Sequence, residues 1–461
     1  MTFEDVLAGW LVKQRWFAGK GRTVHDLAVV ADTEIIPGDP GLRHLLVTVS
    51  HGATSDCYQL FIGLRARLPA RLRHAQIGPY EGMAAYDALH DSDLTRTLLD
   101  AIVADRTIGA LRFCRIPGAE LAWAVESESG PDSLVLTGEQ SNTSLVFGES
   151  AIFKVFRRVA PGPNPDLEVA TALAELGSTH IAEPYGWVET RIEGATTVLA
   201  ILSRYLRAAA DGWALAATSV RDLYAWSGAA ESAAVPTPGR TPGEAGGDFA
   251  GEAERLGVAT AQVHADLAEA FGVSELEAEA LRELAEQMFR RLDLAIAAVP
   301  ELARYADLAG DAFSSLAKLT EPVPAQRVHG DYHLGQVMRT QTGWVVLDFE
   351  GEPASPLAQR RARSSPLRDV AGMLRSFDYA ARHQLLTHPE RVSLAPVAGD
   401  WVRRNAEAFC AGYAEAGGLD PARNAVLLRA LLLDKTVYEV IYEARNRPNW
   451  MIIPLESIAE L

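Results

Sequence analysis

The sequence predicts an α+β fold with a strand-rich first half and a mostly helical second half. Up to residue 204, short runs of β-branched and aromatic residues alternate with turn signals, which is typical of strands. From residue 252 onward, apolar residues recur with the 3.6-residue period of helices. The helical ranges are 252–270, 275–297, 401–415 and 424–445. This division favours two lobes with a cleft between them.

Residues 1–90 indicate a small α+β unit. An amphipathic helix is predicted over Phe3–Lys13, and turn-bounded apolar runs predict three strands. The strands are expected near Leu27–Ala31, Leu45–Val49 and Cys57–Gly63.

Residues 91–204 indicate a second, strand-rich unit that begins with a helix near 94–104. Two apolar strands flank the polar loop Gly138–Ser144, and a further strand follows at Ala151–Phe156. A helix should run from Pro165 toward Leu176, before a strand pair near 187–203.

Residues 205–461 form the third predicted unit, which is helical. Its segment Ser227–Gly251 is rich in Ala, Gly, Pro and Ser and predicts a mobile loop. A short β-like run, Trp344–Phe349, interrupts the helical pattern.

Composition excludes several classes of protein. Of 461 residues, 60 are acidic and 43 basic, giving a formal net charge of −17. This balance argues against nucleic-acid binding, which depends on Lys and Arg contacts with phosphate, but it allows a local site for a small anion. The cysteines at positions 57, 114 and 410 are far apart and odd in number, which argues against a disulfide framework or structural zinc.

The N-terminus MTFEDVLAGW lacks a basic segment followed by an apolar core. No apolar run reaches the ~18 residues that span a bilayer. We therefore expect a cytoplasmic protein with no membrane partner, present as a monomer or weak homodimer.

The strongest chemical signal is the motif HGDYHLGQ at 329–336, followed by LDFE at 347–350. Asp331 precedes an amide, Gln336, and the second motif is expected to place Asp348 and Glu350 on one face of an extended segment. An acid, an amide and a second acid suit phosphoryl transfer, in which one carboxylate accepts the acceptor hydroxyl's proton and the other, with the amide oxygen, holds Mg²⁺. Either acid alone would more often be a turn or cap residue. We expect His329 to brace the loop.

A second pattern places Lys154 on a strand and Glu168 on the following helix. Strand alternation points Lys154 away from its apolar neighbours, and a buried-side lysine needs a carboxylate partner. In protein kinases such a pair positions the α and β phosphates of ATP. The polar loop before this strand would cover the phosphates with its donors, which are Ser141, Asn142, Thr143 and Ser144.

A third pattern lies near the C-terminus. On a helix, Lys435, Glu439, Tyr442 and Asn446 share one face, and Pro448 should end that helix near Asn446–Arg447. Acidic, amide and aromatic groups together suit sugar binding. Glu439 and Glu443 would repel each other at i and i+4, which favours a functional reason for both.

These motifs resemble the actinobacterial maltokinase and glucosamine kinase family, which belongs to the aminoglycoside-phosphotransferase-like branch of the eukaryotic-kinase fold. The resemblance rests on GEQSNTS, FKVFRR, HGDYHLGQV, LDFEGEP, SPLRDVAGMLRSF and DKTVYEVIYEARNRPNW, and it covers nearly the whole chain. It implies a bilobal kinase with an N-terminal cap subdomain, using ATP and Mg²⁺. It also implies that Asp331 is the catalytic aspartate, that Gln336 and Asp348 bind Mg²⁺ with Glu350 as a helper, and that Lys154 and Glu168 form the ATP-phosphate pair.

The resemblance further places adenine against the segment joining the lobes, at Tyr205 and Leu206. It places the acceptor sugar among the residues Asp331, His333, Glu439, Tyr442, Glu443, Asn446 and Trp450.

The expected acceptor is D-glucosamine, giving glucosamine 6-phosphate, with maltose 1-phosphorylation as the alternative. The chain departs from the maltokinase pattern at Tyr332, Asn446, Met451 and Ile452, which we expect beside the sugar. An aminoglycoside antibiotic kinase and a non-catalytic pseudokinase are weaker alternatives.

Overall fold

The computed structural model describes residues 2–19, 24–51, 54–124, 131–136, 138, 141–232, 248–352 and 355–461. The described chain divides into two compact units. The first holds the residues up to Thr171 together with Ala182–Arg207, and the second holds Ala172–Ile181 and Ala208–Leu461. The predicted division at residues 90 and 204 stays a prediction.

The first unit is built on two antiparallel sheets. Its helices are α1 (Phe3–Leu11), α2 (Ser92–Val103) and α3 (Pro165–Glu175), the last of which continues into the second unit. Its strands are β1 (Asp26–Ile36), β2 (Gly41–His51), β3 (Thr54–Arg65), β4 (Gln76–Tyr80), β5 (Met83–Asp87), β6 (Thr107–Ile108), β7 (Leu111–Arg115), β8 (Ser133–Val135), β9 (Thr143–Phe147), β10 (Ala151–Val155), β11 (Arg158–Val159), β12 (Pro184–Ile192) and β13 (Ala195–Arg204).

Strand order shows how these sheets are arranged. One sheet runs β1-β2-β3-β5-β4, with β11 also paired to β3, and the other runs β6-β7-β12-β13-β10-β9-β8. Strand β10 lies inside the second sheet, between β9 and β13, so its backbone is bonded on both sides. Because side chains alternate along a strand, its residues Ala151, Phe153 and Val155 are buried while Lys154 is half-buried, as the alternation predicted.

Buried polar contacts join the two sheets. The Gln59 side-chain amide on β3 donates to the carbonyl oxygens of Phe156, at 2.7 Å, and Leu199. Arg157 is 1% exposed; its guanidinium bonds to Asp87 and donates from Nε to Thr143 Oγ1 at 2.8 Å. Because an unpaired buried charge or amide is costly, these residues hold the sheets in one arrangement.

The second unit is mostly helical, as predicted. Its helices are α4 (Gly212–Ser232), α5 (Ala250–Phe271), α6 (Ala278–Ala298), α7 (Ala306–Ala317), α8 (Leu357–Arg360), α9 (Leu367–Leu385), α10 (Arg391–Glu415), α11 (Ala425–Asn446) and α12 (Ile452–Ser457). Its strands are β14 (Ala210–Asp211), β15 (Val273–Leu276), β16 (Val323–Gln326), β17 (Val337–Arg339) and β18 (Trp344–Val346). Phe249, Phe377, Trp401 and Phe409 pack ring against ring in its core.

Three expectations for this unit need correction. The predicted helix 275–297 begins at Ala278, because residues 275 and 276 end a strand that pairs with β16. The ends of the predicted loop Ser227–Gly251 are helical, and residues 233–247 lie outside the described residues. Strand β18 stops at Val346, and Asp348 has a φ of 62°, so Asp348 and Glu350 do not lie on an extended segment.

None of the helices in the described ranges is long and apolar enough to cross a membrane. The three cysteines are free, and burial raises the pKa of Cys57 and Cys410 to about 11. Their thiols are therefore protonated at neutral pH, as expected of packing residues.

We predict that the stability of the first unit falls in mild acid because of His44. This side chain is 1% exposed and hydrogen-bonds Gln59 Oε1 at 3.1 Å, and burial lowers its pKa from 6.5 to about 4. The unfolded chain therefore binds more protons as the pH falls below 6.5, so folding is disfavoured down to about pH 4. Urea unfolding should show a loss of about 2 kcal/mol between pH 7 and pH 5 from this group.

A His44→Gln variant removes the titrating ring and keeps a polar side chain opposite Gln59. Its loss of stability over the same pH range should be smaller by that amount. Identical pH dependence in the two proteins would contradict the assignment to His44.

Candidate active site

The loop that carries Asp331 is anchored by a buried carboxylate on α9. Asp369 is 1% exposed; its two oxygens accept the backbone N–H of His329 at 2.7 Å and of Gly330 at 2.8 Å. His264 donates its Nε2 proton to the same carboxylate at 3.0 Å. Burial alone would raise the pKa of Asp369, but these donors lower it below its usual value. Asp369 is therefore a fixed anion that holds the backbone just before Asp331.

His329 braces the loop from within, as predicted. Its Nε2 donates to the carbonyl oxygen of Leu347 at 2.8 Å, and its Nδ1 accepts the backbone N–H of Asp331 at 3.3 Å. This pair of bonds requires the neutral ring with the proton on Nε2. The two acidic motifs are thereby tied together by one side chain.

Close packing also positions this loop. Gly372 on α9 lies so near Tyr332 that a Cβ there would be 2.5 Å from the Tyr332 carbonyl oxygen. Gly330 has a φ of 85°, a conformation that residues with a Cβ rarely adopt. Gly372 therefore allows the close approach of α9, and Gly330 allows the turn of the loop before Asp331.

The predicted metal ligands lie together beyond this loop. The Gln336 side-chain amide and Asp348 Oδ2 are 3.3 Å apart, and carboxylate oxygens of Asp348 and Glu350 lie within 4.8 Å of each other. Two carboxylates and an amide offer the oxygen ligands that Mg²⁺ prefers, so the donor set fits this ion.

A cavity of about 820 Å³ lies in the second unit beside Asp331. Every residue expected to contact the sugar lines it: Asp331, His333, Glu439, Tyr442, Glu443, Asn446 and Trp450. They converge because α11 presents one face toward the Asp331 loop and ends at Asn446, before Pro448, as predicted. Aromatic rings from Trp213, Tyr379 and Tyr438 complete the walls.

Two carboxylates of α11 in this cavity are compensated by arginines. Glu439 accepts from Arg375 Nε at 2.8 Å, and Glu443 accepts from Arg447 at 2.6 and 2.9 Å. Repulsion between Glu439 and Glu443 was expected to indicate a function. That argument is wrong, because each carboxylate is paired with an arginine of its own. Burial raises the pKa of Glu439, although Arg375 opposes this effect.

Lys435 brings a cation to the Asp331 carboxylate. Its Nζ lies 3.8 Å from Asp331 Oδ1 and 3.9 Å from Glu352 Oε2. Tyr438 donates to Glu352 at 3.0 Å, and its ring lies under the Lys435 ammonium. Two carboxylates thus share one ammonium in the floor of the cavity.

His333 caps the short helical turn after the loop. Its Nδ1 accepts the backbone N–H of Gly335 at 3.0 Å, and burial lowers its pKa. The ring is therefore neutral at pH 7 and carries its proton on Nε2.

The residues expected to bind ATP lie in the first unit. Lys154 Nζ lies 3.1 Å from Asp166 Oδ2. Asp166 lies two residues before the predicted partner Glu168, in the same first turn of α3, and is thus a carboxylate partner that was not predicted. Of the loop residues, Ser141 is exposed and Asn142 half-buried.

Thr143 and Ser144 are buried in strand β9, where Thr143 accepts from Arg157. Residues 139 and 140 of the predicted phosphate loop lie outside the described residues. Tyr205 and Leu206 are half-buried just after β13. ATP contacts at all these positions stay predictions.

Two family models match the chain. One describes the maltokinase N-terminal cap domain and matches residues 10–91. The other describes the phosphotransferase enzyme family and matches residues 135–378, more than half of the chain. The chain belongs to the phosphotransferase enzyme family.

Curated relatives of this phosphotransferase are glucosamine kinases. The enzyme of Streptacidiphilus jiangxiensis is 32% identical over 364 residues, which cover 74% of this chain and 77% of the relative. The enzyme of Mycolicibacterium smegmatis is 30% identical over 349 residues, which cover 74% and 82%.

A solved glucosamine kinase in complex with glucosamine, ADP and inorganic phosphate matches over 100% of this chain and 99% of its own, with a TM-score of 0.67 and 24% identity. At this identity the likeness shows a shared fold. Together the matches confirm the predicted family, the α+β kinase-like fold and the kinase activity, and they support the use of ATP and Mg²⁺.

The four positions that depart from the maltokinase pattern differ in their relation to this cavity. Asn446 lines it, whereas Tyr332, Met451 and Ile452 lie near lining residues in sequence and do not line it in the described chain. Tyr332 is 4% exposed and its hydroxyl is 2.7 Å from Thr260 Oγ1, so it packs between helices. The reason is its position in the loop, where its neighbours Asp331 and His333 take the two places that face the cavity.

Sequence reasoning missed several residues of the site. Asp369 lies among the apolar residues Leu367, Val370 and Ala371 at the start of α9, and an acid at such a buried position signals an internal hydrogen-bond partner. Asp166 occupies the first turn of α3, where acids are common for the helix dipole alone. Arg375 and Glu352 carried no signal, because their partners lie 64 and 86 residues away.

We predict that Asp369→Asn slows phosphoryl transfer without removing the fold. The amide can accept only one of the two backbone N–H bonds, so the Asp331 loop should shift. A displacement of about 1 Å can cost on the order of 10²-fold in kcat. Steady-state kinetics and amide hydrogen exchange across 327–333 should report a lower kcat together with faster exchange. Unchanged exchange with a lower kcat would contradict the anchoring role.

Proposed function

We propose that this phosphotransferase transfers the γ-phosphoryl group of ATP to D-glucosamine, giving glucosamine 6-phosphate. The observation that carries the proposal is the cavity beside Asp331, where all the predicted sugar contacts converge. The glucosamine kinases to which the chain is related support the choice of acceptor.

Asp331 would orient the acceptor hydroxyl and take its proton. Its side chain is 21% exposed, so it reaches the cavity while its backbone is held by His329. A neutral His333 would donate its Nε2 proton to a sugar hydroxyl. Mg²⁺, held by Gln336 and Asp348 with Glu350, would neutralise charge on the transferred phosphoryl group, and Lys154 would hold the α and β phosphates.

The charges of the cavity suit an amino sugar. Arg375 and Arg447 compensate Glu439 and Glu443, whereas Asp331 and Glu352 have one shared ammonium between them, at 3.8 and 3.9 Å. Around Asp331 and Glu352 this leaves one negative charge that an ammonium ligand would balance, while the exposed Arg445 also lines the cavity. Aromatic rings at Tyr442 and Trp450 would stack on the C–H face of the sugar.

Maltose is the second candidate acceptor. The match of residues 10–91 to the maltokinase cap domain favours it. The cavity, at about 820 Å³, is also larger than one sugar ring requires. Cytoplasmic location and a monomeric or weakly dimeric state stay predictions.

An acceptor panel separates these candidates. ADP release from Mg-ATP should be fastest with glucosamine and slower with glucose, N-acetylglucosamine, maltose and an aminoglycoside. NMR of the product should place phosphorus on O6. A dominant maltose signal at O1 would replace the first proposal with the second, and ATP binding without ADP release for any acceptor would indicate a pseudokinase.

The role of Asp331 is tested with Asp331→Asn. The variant should fold normally and lose on the order of 10²–10⁴ in kcat, the usual contribution of a general base. A matched control is Asp311→Asn, since Asp311 is an exposed acid on α7 outside the cavity. Near-normal turnover by Asp331→Asn, or equal losses in both variants, would refute the assignment.

A further inference from the structure

A second cavity of the helical unit is lined mainly by basic side chains. Its volume is about 630 Å³, and it lies against helices α6, α8, α9 and α11. The cations on its wall are Arg291, Arg360, Arg363, Arg368 and Lys435, and the acids are Glu352 and Asp434. In a chain with a net charge of −17, such a local excess of arginine is unexpected from composition.

The acids of this cavity are already engaged. Asp434 lies 2.8 Å from Arg291 Nε, and Glu352 accepts from Tyr438 and lies 3.9 Å from Lys435. Each acid thus has a cation nearby, and two acids cannot balance the five cations of the wall.

Of the other three guanidinium groups, those of Arg360 and Arg363 have no carboxylate partner among the described residues. Arg360 donates to the Glu350 carbonyl oxygen at 3.2 Å and Arg363 to the Phe271 carbonyl oxygen at 2.7 Å. Arg360 also has a buried Nε without a hydrogen-bond partner. Arg368 is exposed, and its charge acts on the Asp434 carboxylate, which already lies 2.8 Å from Arg291. Like charges gathered in one concave wall repel each other, and a bound anion would remove that repulsion.

We propose that this cavity binds a small phosphate anion or phosphate ester through Arg360, Arg363 and Arg368. Guanidinium groups are suited to phosphate because their planar N–H donors form paired bonds to its oxygens. Neighbouring hydroxyl and amide groups of Ser364 and Gln359 add neutral donors. No site for a phosphate outside the transfer reaction follows from the kinase activity itself.

The basic cavity and the sugar cavity share part of their walls. Glu352, Gly372, Lys435 and Tyr438 line both. Because Lys435 also lies beside Asp331, an anion in the basic cavity would act on the same ammonium that the catalytic carboxylate uses. The ligand is thus placed where it can alter acceptor binding, whichever sugar the enzyme takes.

Calorimetric titration of the full chain, without ATP or acceptor, tests the proposal. Inorganic phosphate and glucose 6-phosphate are titrated separately, so that the two sources of the phosphate group are distinguished. Arg368→Ala and Arg363→Ala should each weaken binding by about tenfold or more, as expected for loss of a charge-assisted hydrogen bond.

The matched control is Arg290→Ala. Arg290 neighbours Arg291 on α6 but is exposed and lies outside the cavity lining. It should bind like the unchanged protein. Two arginine variants are used because either substitution alone could disturb folding. Absence of binding at millimolar ligand, or binding that both cavity variants retain, would overturn the proposal. Because no turnover is measured, its failure is separate from failure of the glucosamine assignment.

Discussion

The active site depends on one buried anion, the carboxylate of Asp369. Its two oxygens hold the backbone of His329 and Gly330, and His329 in turn holds Leu347, next to Asp348. Helix α9 therefore holds the backbone before Asp331 directly and the segment before Asp348 through His329. A side chain that never meets substrate therefore sets the geometry on which in-line transfer depends.

Charge compensation explains how α11 can carry buried acids at the wall of the cavity. An isolated buried carboxylate would become protonated, but Glu439 and Glu443 each have an arginine within 3 Å. Arg375 also bonds to Asp378, which bonds to Arg382, so the compensation extends into the C-terminal helix through Ser457. The acids of the cavity therefore fall into two pairs. Glu439 and Glu443 each have an arginine of their own, whereas Asp331 and Glu352 share Lys435.

Local sequence patterns were sufficient to predict much of the secondary structure. They predicted the alternation around Lys154, the helical face of α11 and the end of that helix before Pro448, because each depends on residues within a few positions of one another. The predicted extended segment at Asp348 was wrong because the local sequence LDFE contains no glycine to indicate a left-handed backbone. Contacts between residues far apart in the sequence, such as Arg375 with Glu439, could not be predicted. They form only when the helices that carry them pack together.

The buried contacts of Gln59 and Arg157 have an evolutionary consequence. Gln59 belongs to the cap, yet it satisfies carbonyl oxygens on either side of the strand pair that carries Lys154. A descendant that lost residues 1–90 would keep every side chain of the candidate active site, yet it would lose Gln59 and Asp87 and so expose those carbonyls and the Arg157 charge. Shortening the chain from this side would therefore require compensating changes in the sheet that carries Lys154.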